Sequence, residues 1–410
     1  MTGGRAVFAF GLAASFFTYA FVQRVAPSVI VGELMAEFAV GAAVLGNLAA
    51  FYFYGYAPLQ IPVGMLMDRF GPRRLMGFAV GVSSIGAVIF AIAPTIEIAY
   101  LGRLLVGIGA AFGWVGVLTV ATLWFAPTRF AMLTGIAQLF GMIGAIFGQA
   151  PLALAVDAWG WRGTLGALAV FGALLAVAIF VVIADKRTAP AHATGNFAAG
   201  LRGVIRARDA WLATIYGFAM TGTMQSFAAL WAVPWLMQVH GLERGSAALL
   251  SSAMFAGWGI GAPIIGYVVD RLGRRVGPMR LLSAAMTVSL AAILYWPGLG
   301  LPALAVLMFV NGVCASSMVI SYAHARDHSP ANASGAAYGL VNTAVVGSGA
   351  LLQPSIGALL DRAWDGTLSG GSRVYSPAAF EQGFSILLAV AVLGALSAWL
   401  MREPAPAKTL

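Results

Sequence analysis

The amino-acid sequence predicts an all-α membrane protein whose twelve transmembrane helices form two pseudo-symmetric six-helix bundles. Of its 410 residues, 60% are hydrophobic and 9% are charged, whereas soluble domains carry about 25% charged residues. Twelve windows reach the roughly 20 apolar residues that a helix needs to cross a bilayer. Backbone groups in hydrocarbon must bond internally, so each window is predicted to be helical. The third observation is an internal repeat, described below.

The predicted spans lie near 6–30, 44–66, 75–93, 97–121, 130–153, 163–184, 211–236, 247–268, 280–297, 302–324, 334–359 and 378–401. An even number places both termini on one side. Seventeen of the 23 Lys and Arg residues lie in the termini and in the loops on the same side as the termini, which we call the arginine-rich side. Four lie in the loops of the opposite, arginine-poor side: Arg162, Arg244, Arg362 and Arg373. The positive-inside rule therefore predicts a multi-pass protein of the inner (cytoplasmic) membrane with both termini in the cytoplasm.

The domain organisation is predicted from a polar stretch in the middle of the chain. Residues 1–184 form a first six-helix bundle, 185–210 a linker on the cytoplasmic surface, and 211–410 a second bundle. A Gly-x3-Asp-Arg-x-Gly element ends spans two and eight at an offset of 202 residues. A second set, Gly135, Gln138, Gln149 and Asp157, matches Gly339, Asn342, Gln353 and Asp361 at an offset of 204. Two matches at nearly one offset indicate two copies of one unit.

The repeated element is predicted to be a conformational gate. Its residues are Gly64, Asp68, Arg69, Gly71, Arg73 and Arg74 in the first copy, and Gly266, Asp270, Arg271, Gly273, Arg274 and Arg275 in the second. An aspartate at a helix C-terminus is poorly placed against the helix dipole, so it should seek an arginine or another helix N-terminus. Such a contact across the halves would hold one side shut and break in the other state. The alternative is a topology anchor fixed by its arginines.

On these residues the chain resembles the major facilitator superfamily over essentially its whole length. The resemblance implies the fold of that superfamily and solute transport by alternating access. It also implies that the signature Asp68 contacts the start of span eleven near Ser334 and that Asp270, by the repeat, faces span five near Thr128.

Two arginines lie inside predicted spans, where a charge costs about 2.5–3.5 kcal/mol on insertion scales. Arg24 is predicted to bind the carboxylate or phosphate of an anionic solute, because guanidinium pairs bidentately with such groups. Alternatively it snorkels to the interface or pairs with Glu33 or Glu37. Arg103, in Arg-x3-Gly-x-Gly, resembles a second superfamily pattern in which the arginine organises the cavity or a proton path; bonding between helices is the alternative.

Uncharged polar and aromatic side chains on helices of both halves complete the predicted solute site: Tyr19, Tyr52, Tyr56, Gln138, Gln225, Trp231, Asn311 and Asn342. Tyr52 and Tyr56 share a helix face. The amides suit a small polar solute, although each one is also able to join two helices without touching solute.

The first span most resembles the anion:cation symporters and organic-anion uptake carriers, which often read Asp-Arg in span one and Gly-x-Gly-Glu in span four. Gln23 and Ala110 stand in place of those two acids. The prediction is proton-coupled uptake of a small anionic metabolite, carboxylate or amino-acid-like, by a monomer. Coupling would run through Glu33 or Glu37 or through a proton carried by the solute; an uncoupled carrier is the alternative.

Other classes of membrane protein are alternatives to this prediction. A drug or metabolite efflux carrier would usually show a Gly-Pro dipeptide in span five, which is absent. Met220 and Met224 share a face as in copper importers, since thioethers suit Cu(I), but 16 methionines also serve packing. A non-transporting sensor would not need two gating elements. No catalytic constellation, cofactor motif, metal-ligand pattern or nucleic-acid-binding basic face is found, so an enzyme is not expected.

Overall fold

The computed structural model describes residues 3–184, 197–296, 298–330 and 333–403. Within this part of the chain, nine helices are long and apolar enough to cross a membrane, or ten when the bent pair Val31–Phe38 and Ala42–Leu59 is counted as one span. The all-helical membrane fold is thus confirmed. The predicted linker lies outside the described residues from 185 to 196.

Among the described residues, the first half contains nine α-helices with short 3₁₀ turns between some of them. They are α1 Gly3–Val25, α2 Val31–Phe38, α3 Ala42–Tyr56, α4 Gln60–Phe70, α5 Pro72–Ala91, α6 Ile96–Ala110, α7 Phe112–Trp124, α8 Phe130–Phe147 and α9 Ala150–Val182; the 3₁₀ turns are Ala26–Val29, Ala57–Leu59 and Pro127–Arg129.

In the described part of the second half there are nine further α-helices, a π-helical segment and a two-stranded hairpin. They are α10 Phe197–Arg206, α11 Arg208–Gly222, the π-helix Thr223–Trp231, α12 Ala232–His240, α13 Arg244–Leu272, α14 Val276–Tyr295, α15 Leu301–Ala315, α16 Met318–Asp327, α17 Ser334–Arg362, β1 Leu368–Ser369, β2 Ser372–Arg373 and α18 Pro377–Leu400.

Helical segments occupy all twelve predicted spans, but several are broken. The apolar stretch Met132–Val182 is 51 residues long; it combines most of α8 with α9 and covers spans five and six. Within α9, Gly160 has φ 70° and kinks the helix. The seventh span is interrupted by the π-helix Thr223–Trp231. Breaks of this kind in membrane helices are tolerated where neighbouring helices satisfy the freed backbone groups. Hydropathy windows detect apolar length and not these breaks.

Two small elements were not predicted. The helix α2 follows span one and bends by 113° into the next helix. The strands β1 and β2 pair antiparallel, with Ser369 opposite Ser372. Their turn is Gly370-Gly371, both at positive φ, which matches the twist of a two-residue hairpin. Both elements lie on the arginine-poor side and carry residues of the site described below.

The chain divides into two compact units. The first comprises Met1–Ala191, Ala228–Ser252 and Gln353–Gly383, and the second comprises His192–Phe227, Ala253–Leu352 and Phe384–Leu410. The first unit thus contains the arginine-poor ends of spans seven, eight, eleven and twelve as well as the first six spans. The division into bundles at residues 184 and 211 stays a prediction.

Matching glycine contacts occur in the two halves. A Cβ atom on Gly107 of α6 would lie 2.0 Å from the backbone oxygen of Tyr52 on α3. A Cβ atom on Gly312 of α15 would lie 2.0 Å from the backbone oxygen of Met254 on α13. Small residues allow membrane helices to approach this closely. The repeat found in the sequence is therefore also a repeat of helix packing.

We expect Gly107→Ala to destabilise the protein and to weaken solute binding. The atom in the way belongs to the backbone of Tyr52, so the helices must separate, and overpacking typically costs about 1–3 kcal/mol. The matched control is Gly81→Ala on α5, where a Cβ would meet nothing within 4 Å. Thermal unfolding of the purified variants measures the difference. Equal melting temperatures for Gly107→Ala and Gly81→Ala would contradict the close contact.

Candidate functional site

Arg24 lies near the end of α1 inside a cage of four aromatic rings. Its guanidinium carbon lies 4.3 Å from the ring centroid of Phe21, 5.2 Å from Tyr52, 5.9 Å from Phe53 and 5.3 Å from Tyr56. Aromatic faces attract a cation through their quadrupole. The cage therefore holds the guanidinium in place without neutralising its charge.

Arg24 forms no ion pair with any acid whose side chain the structure describes. Its Nε is buried and has no hydrogen-bond partner there. The two acids considered as partners are engaged elsewhere, Glu33 with Arg244 and Glu37 with Arg162. A charge withdrawn from water in this way ordinarily has a partner, so the cage is suited to an anion supplied from outside the protein.

Local sequence explains how the cage is assembled. Phe21 precedes Arg24 by three residues on α1 and shares its face. Tyr52 and Tyr56 lie one turn apart on α3, with ring centroids 5.9 Å apart and planes tilted by 17°. The α3 helix ends at Tyr56, where Pro58 lies in the following 3₁₀ turn.

The second intramembrane arginine, Arg103, contacts both the backbone of α1 and one ring of the cage. Arg103 of α6 is 1% exposed, and its Nη1 donates a 2.7 Å hydrogen bond to the backbone oxygen of Gln23. Its guanidinium carbon lies 5.4 Å from the Tyr52 ring centroid. Gln23 in turn donates from Nε2 to the hydroxyl of Tyr19 at 2.8 Å. Arg103 thus joins α1 to α6 beside the cage.

The remaining predicted residues of the first unit are not among the rings that surround Arg24. Tyr19 is 1% exposed and packs on α9, where a Cβ on Gly172 would lie 2.5 Å from its hydroxyl. Trp231 donates from Nε1 to the backbone oxygen of Gln353 at 3.2 Å. Gln138 is half-buried on α8. These contacts of Tyr19 and Trp231 are helix packing contacts.

Three predicted residues belong to the second unit. Asn311 is fully buried and donates from Nδ2 to the backbone oxygen of Met286 at 3.1 Å and to Ser289 Oγ at 3.0 Å. Asn342 accepts a 2.9 Å hydrogen bond from the Tyr322 hydroxyl. Gln225 lies in the π-helical segment. The Asn311 amide joins α15 to α14, as the packing alternative supposed.

The two copies of the gating element turn in similar ways on the arginine-rich side. Gly71 follows α4 at φ 78° and Gly273 follows α13 at φ 61°, conformations that glycine adopts at little cost. Arg73 donates from Nε to the backbone oxygen of Phe180 at 2.7 Å, and Arg275 pairs with Asp327. The side chain of Asp68, and hence its expected contact, lies outside the described part.

On the arginine-poor side, Asp361 at the end of α17 caps the N-terminus of α3. Its two carboxylate oxygens accept hydrogen bonds from the backbone nitrogens of Ala42 at 3.0 Å and Ala43 at 2.9 Å. The Tyr375 hydroxyl donates to it at 2.6 Å, and Arg373 of β2 pairs with it at 3.1 Å. Burial raises the pKa of Tyr375 above its usual range, which keeps this phenol a donor. We call this cluster the Asp361 latch.

A related contact joins α13 to the first half. Arg244, the first residue of α13, pairs with Glu33 of α2 and, at 3.2 Å, with Asp157 of α9. Asp157 and Asp361 are repeat partners, and so are the starts of α13 and α3. Each half therefore contributes a carboxylate to the beginning of a helix in the other. A cavity of about 500 Å³ adjoins Glu33 and Arg244 and is lined also by Ser28.

Sequence reasoning missed several of these residues. Phe21 and Phe53 complete the cage, and their spacing from Arg24 and Tyr52 was visible in the sequence. The sequence identifies Asp361 only as part of the repeat, and the latch depends on the hairpin that carries Arg373. The two methionines of the copper alternative are buried, and Met220 packs near Gly394 of α18.

Comparison with known proteins identifies relatives among transporters. The chain is 24% identical over 282 residues to a probable sulfoacetate transporter of Cupriavidus necator, covering 65% of each chain, which is just under two thirds of that relative. It is 26% identical over 347 residues to a gentisate transporter of Corynebacterium glutamicum, covering 81% of this chain and 76% of that one.

Among solved structures, a bacterial homologue of the human lysosomal transporter Spinster, in an inward-facing and unoccupied conformation, superposes with a TM-score of 0.80. It is 17% identical and the match covers 98% of this chain and 97% of that chain. The Major Facilitator Superfamily description matches residues 8–243 and 223–410. The sequence, the helical fold and these matches agree, and the chain belongs to the major facilitator superfamily of membrane transporters, which are not enzymes.

Proposed function

We propose that this transporter carries a small organic anion and that Arg24 binds the anionic group. The observation that carries the proposal is the half-buried Arg24, whose guanidinium is surrounded by aromatic rings and has no carboxylate partner among the described residues. A carboxylate or sulfonate would supply the missing charge through two parallel hydrogen bonds. The rings of Tyr52 and Tyr56 would meanwhile contact an apolar part of the solute.

The named relatives support the same chemical class. Sulfoacetate and gentisate, the solutes in the names of the two relatives, are organic acids. They differ in size and in aromatic character, but each carries an anionic group that a guanidinium can bind. The proposal for this chain is therefore an anionic group on a small carbon skeleton, carried as cargo and not as a cofactor.

We propose uptake across the inner membrane by a monomer, with both termini in the cytoplasm and with proton coupling. In span one Gln23 offers an amide in place of an acid, so coupling is assigned to Glu33. Glu33 pairs with Arg244, so it joins the first helices of the chain to α13 at the arginine-poor end.

A ligand screen tests the proposed solute class. Purified protein would be heated with carboxylates and sulfonates, including sulfoacetate and gentisate, and with sugars, cationic drugs and Cu(I) as contrasts. A ligand that binds the folded state raises the melting temperature in proportion to the logarithm of its concentration. We expect stabilisation by organic anions alone. Stabilisation by cationic drugs or Cu(I), and not by anions, would overturn the proposal.

A further inference from the structure

A group of three potential metal ligands lies in the second unit, on the arginine-rich side. One donor atom from each of Asp209, His324 and His328 lies within 4.8 Å of the other two. His324 Nε2 is 3.8 Å from Asp209 Oδ1, and the two imidazole ring centroids are 4.3 Å apart. The two histidines are four residues apart at the end of α16, so they project from one face.

The imidazole of His324 is buried in a position where its hydrogen-bonding groups are not satisfied by the described residues. Its side chain is 0% exposed, and neither ring nitrogen has a hydrogen-bond partner among the described residues. A buried polar group left in this condition destabilises the folded state. Helix packing alone gives no reason for an imidazole here, whereas a bound cation would satisfy one of its nitrogens.

The neighbouring groups are arranged as in a metal site. His328 Nδ1 lies 3.0 Å from the backbone oxygen of His324; as the donor to this oxygen, Nδ1 leaves Nε2 free to bind a metal. Metal-binding histidines commonly donate their other nitrogen to a carbonyl in this manner. The backbone nitrogen of Arg402 donates to Asp209 Oδ1 at 2.9 Å, which orients the carboxylate.

The charge around the three residues permits a cation. The charge of Arg275 is paired with Asp327. Asp209 contributes a negative charge in the first turn of α11.

We propose that Asp209, His324 and His328 form a binding site for a divalent transition metal ion, with Zn²⁺ as the representative ligand. Two imidazoles and one carboxylate suit zinc, and a water would take the fourth position of its tetrahedral geometry. The ion would join the start of α11 to the end of α16, and through Arg402 it would hold the segment that follows α18. This site is distinct from the Arg24 cage and independent of the transported solute.

The test uses full-length purified protein whose affinity tag, if it contains histidines, has been removed. After treatment with a chelator, ZnCl₂ is titrated against a chromophoric competitor, and bound metal is measured by elemental analysis. We expect one zinc ion per chain and a higher melting temperature with zinc. His324→Ala, His328→Ala and Asp209→Asn should each weaken binding at least about tenfold, as loss of a coordinating or orienting group does.

His240→Ala serves as the matched control, because His240 packs edge-on against Trp235 and is not one of the three ligands. It should bind zinc as the parent protein does. If His324→Ala fails to fold, the half-buried His328 still supplies a testable variant, and the visible absorption of bound Co²⁺ gives a second measurement. Absence of stoichiometric zinc binding, or equal affinity in the His328→Ala variant and the parent, would overturn the proposal.

Discussion

Replacing Arg24 with alanine is expected to abolish solute uptake while the protein is still produced and folded. The variant leaves the aromatic cage in place and removes its charge. Loss of one member of a buried charged hydrogen-bonded pair costs about 2–5 kcal/mol, and each 1.4 kcal/mol is a tenfold change in affinity. Uptake into proteoliposomes, driven by a proton gradient, of the anion that stabilises the purified protein measures the effect.

Arg24→Lys separates charge from shape. Lysine keeps the positive charge but loses the planar fork that binds two oxygens at once, so we expect this variant to be nearly as inactive as Arg24→Ala. Arg5→Ala is the matched control, because Arg5 is exposed near the beginning of α1 and should leave uptake unchanged. Normal uptake by Arg24→Ala would remove the basis of the anion site.

The difference between Arg24 and Arg103 shows what could be predicted from the sequence and what could not. Both stood out because a charge in a long apolar window is costly. Their neighbours depend on how separate helices pack. Arg103 donates to the backbone of Gln23 on another helix, and a backbone acceptor leaves no trace in residue types. The sequence does predict which aromatic side chains share a face within α1 and within α3, because spacing along a helix determines this.

The arginine-poor side was the least predictable part of the fold. Glu33 and Glu37 follow span one in the sequence, but their partners, Arg244 and Arg162, come from distant parts of the chain. Short helices and two-residue strands are too small for apolar periodicity to reveal them. The repeat predicted that Asp157 and Asp361 are equivalent. The structure adds that Asp361 accepts from the first backbone nitrogens of α3, whereas Asp157 pairs with the side chain of Arg244, the first residue of α13.

This equivalence suggests how one end of the carrier closes. A carboxylate at a helix N-terminus is stabilised by unpaired backbone N–H groups and by the helix dipole. The gating element places Asp68 and Asp270 at helix ends on the arginine-rich side, where a carboxylate opposes its own helix. The Asp361 latch uses the same electrostatic principle on the arginine-poor side. In alternating access the two sets of contacts would form in turn.

Asp361→Ala is expected to open the arginine-poor end more often. The variant removes two hydrogen bonds to the start of α3 and those of Tyr375 and Arg373. Hydrogen bonds to charged groups contribute about 1.5–3 kcal/mol, so a loss of about 2–3 kcal/mol shifts a two-state equilibrium roughly 30- to 140-fold. Asp361→Asn keeps one capping acceptor, so the population of its open form should lie between those of the parent protein and the alanine variant.

The opening can be measured with a buried reporter. Ser28 is 1% exposed and lines the cavity at this end, so Ser28→Cys in a Cys314→Ser background should react slowly with an impermeant maleimide. Adding Asp361→Ala should raise that rate by at least tenfold, because labelling follows the population of the open form. The matched control, Glu37→Gln, breaks the exposed Arg162 pair within the first half, which is worth at most about 1 kcal/mol. Equal labelling rates in the Asp361→Ala and Glu37→Gln proteins would show that Asp361 does not hold this end closed.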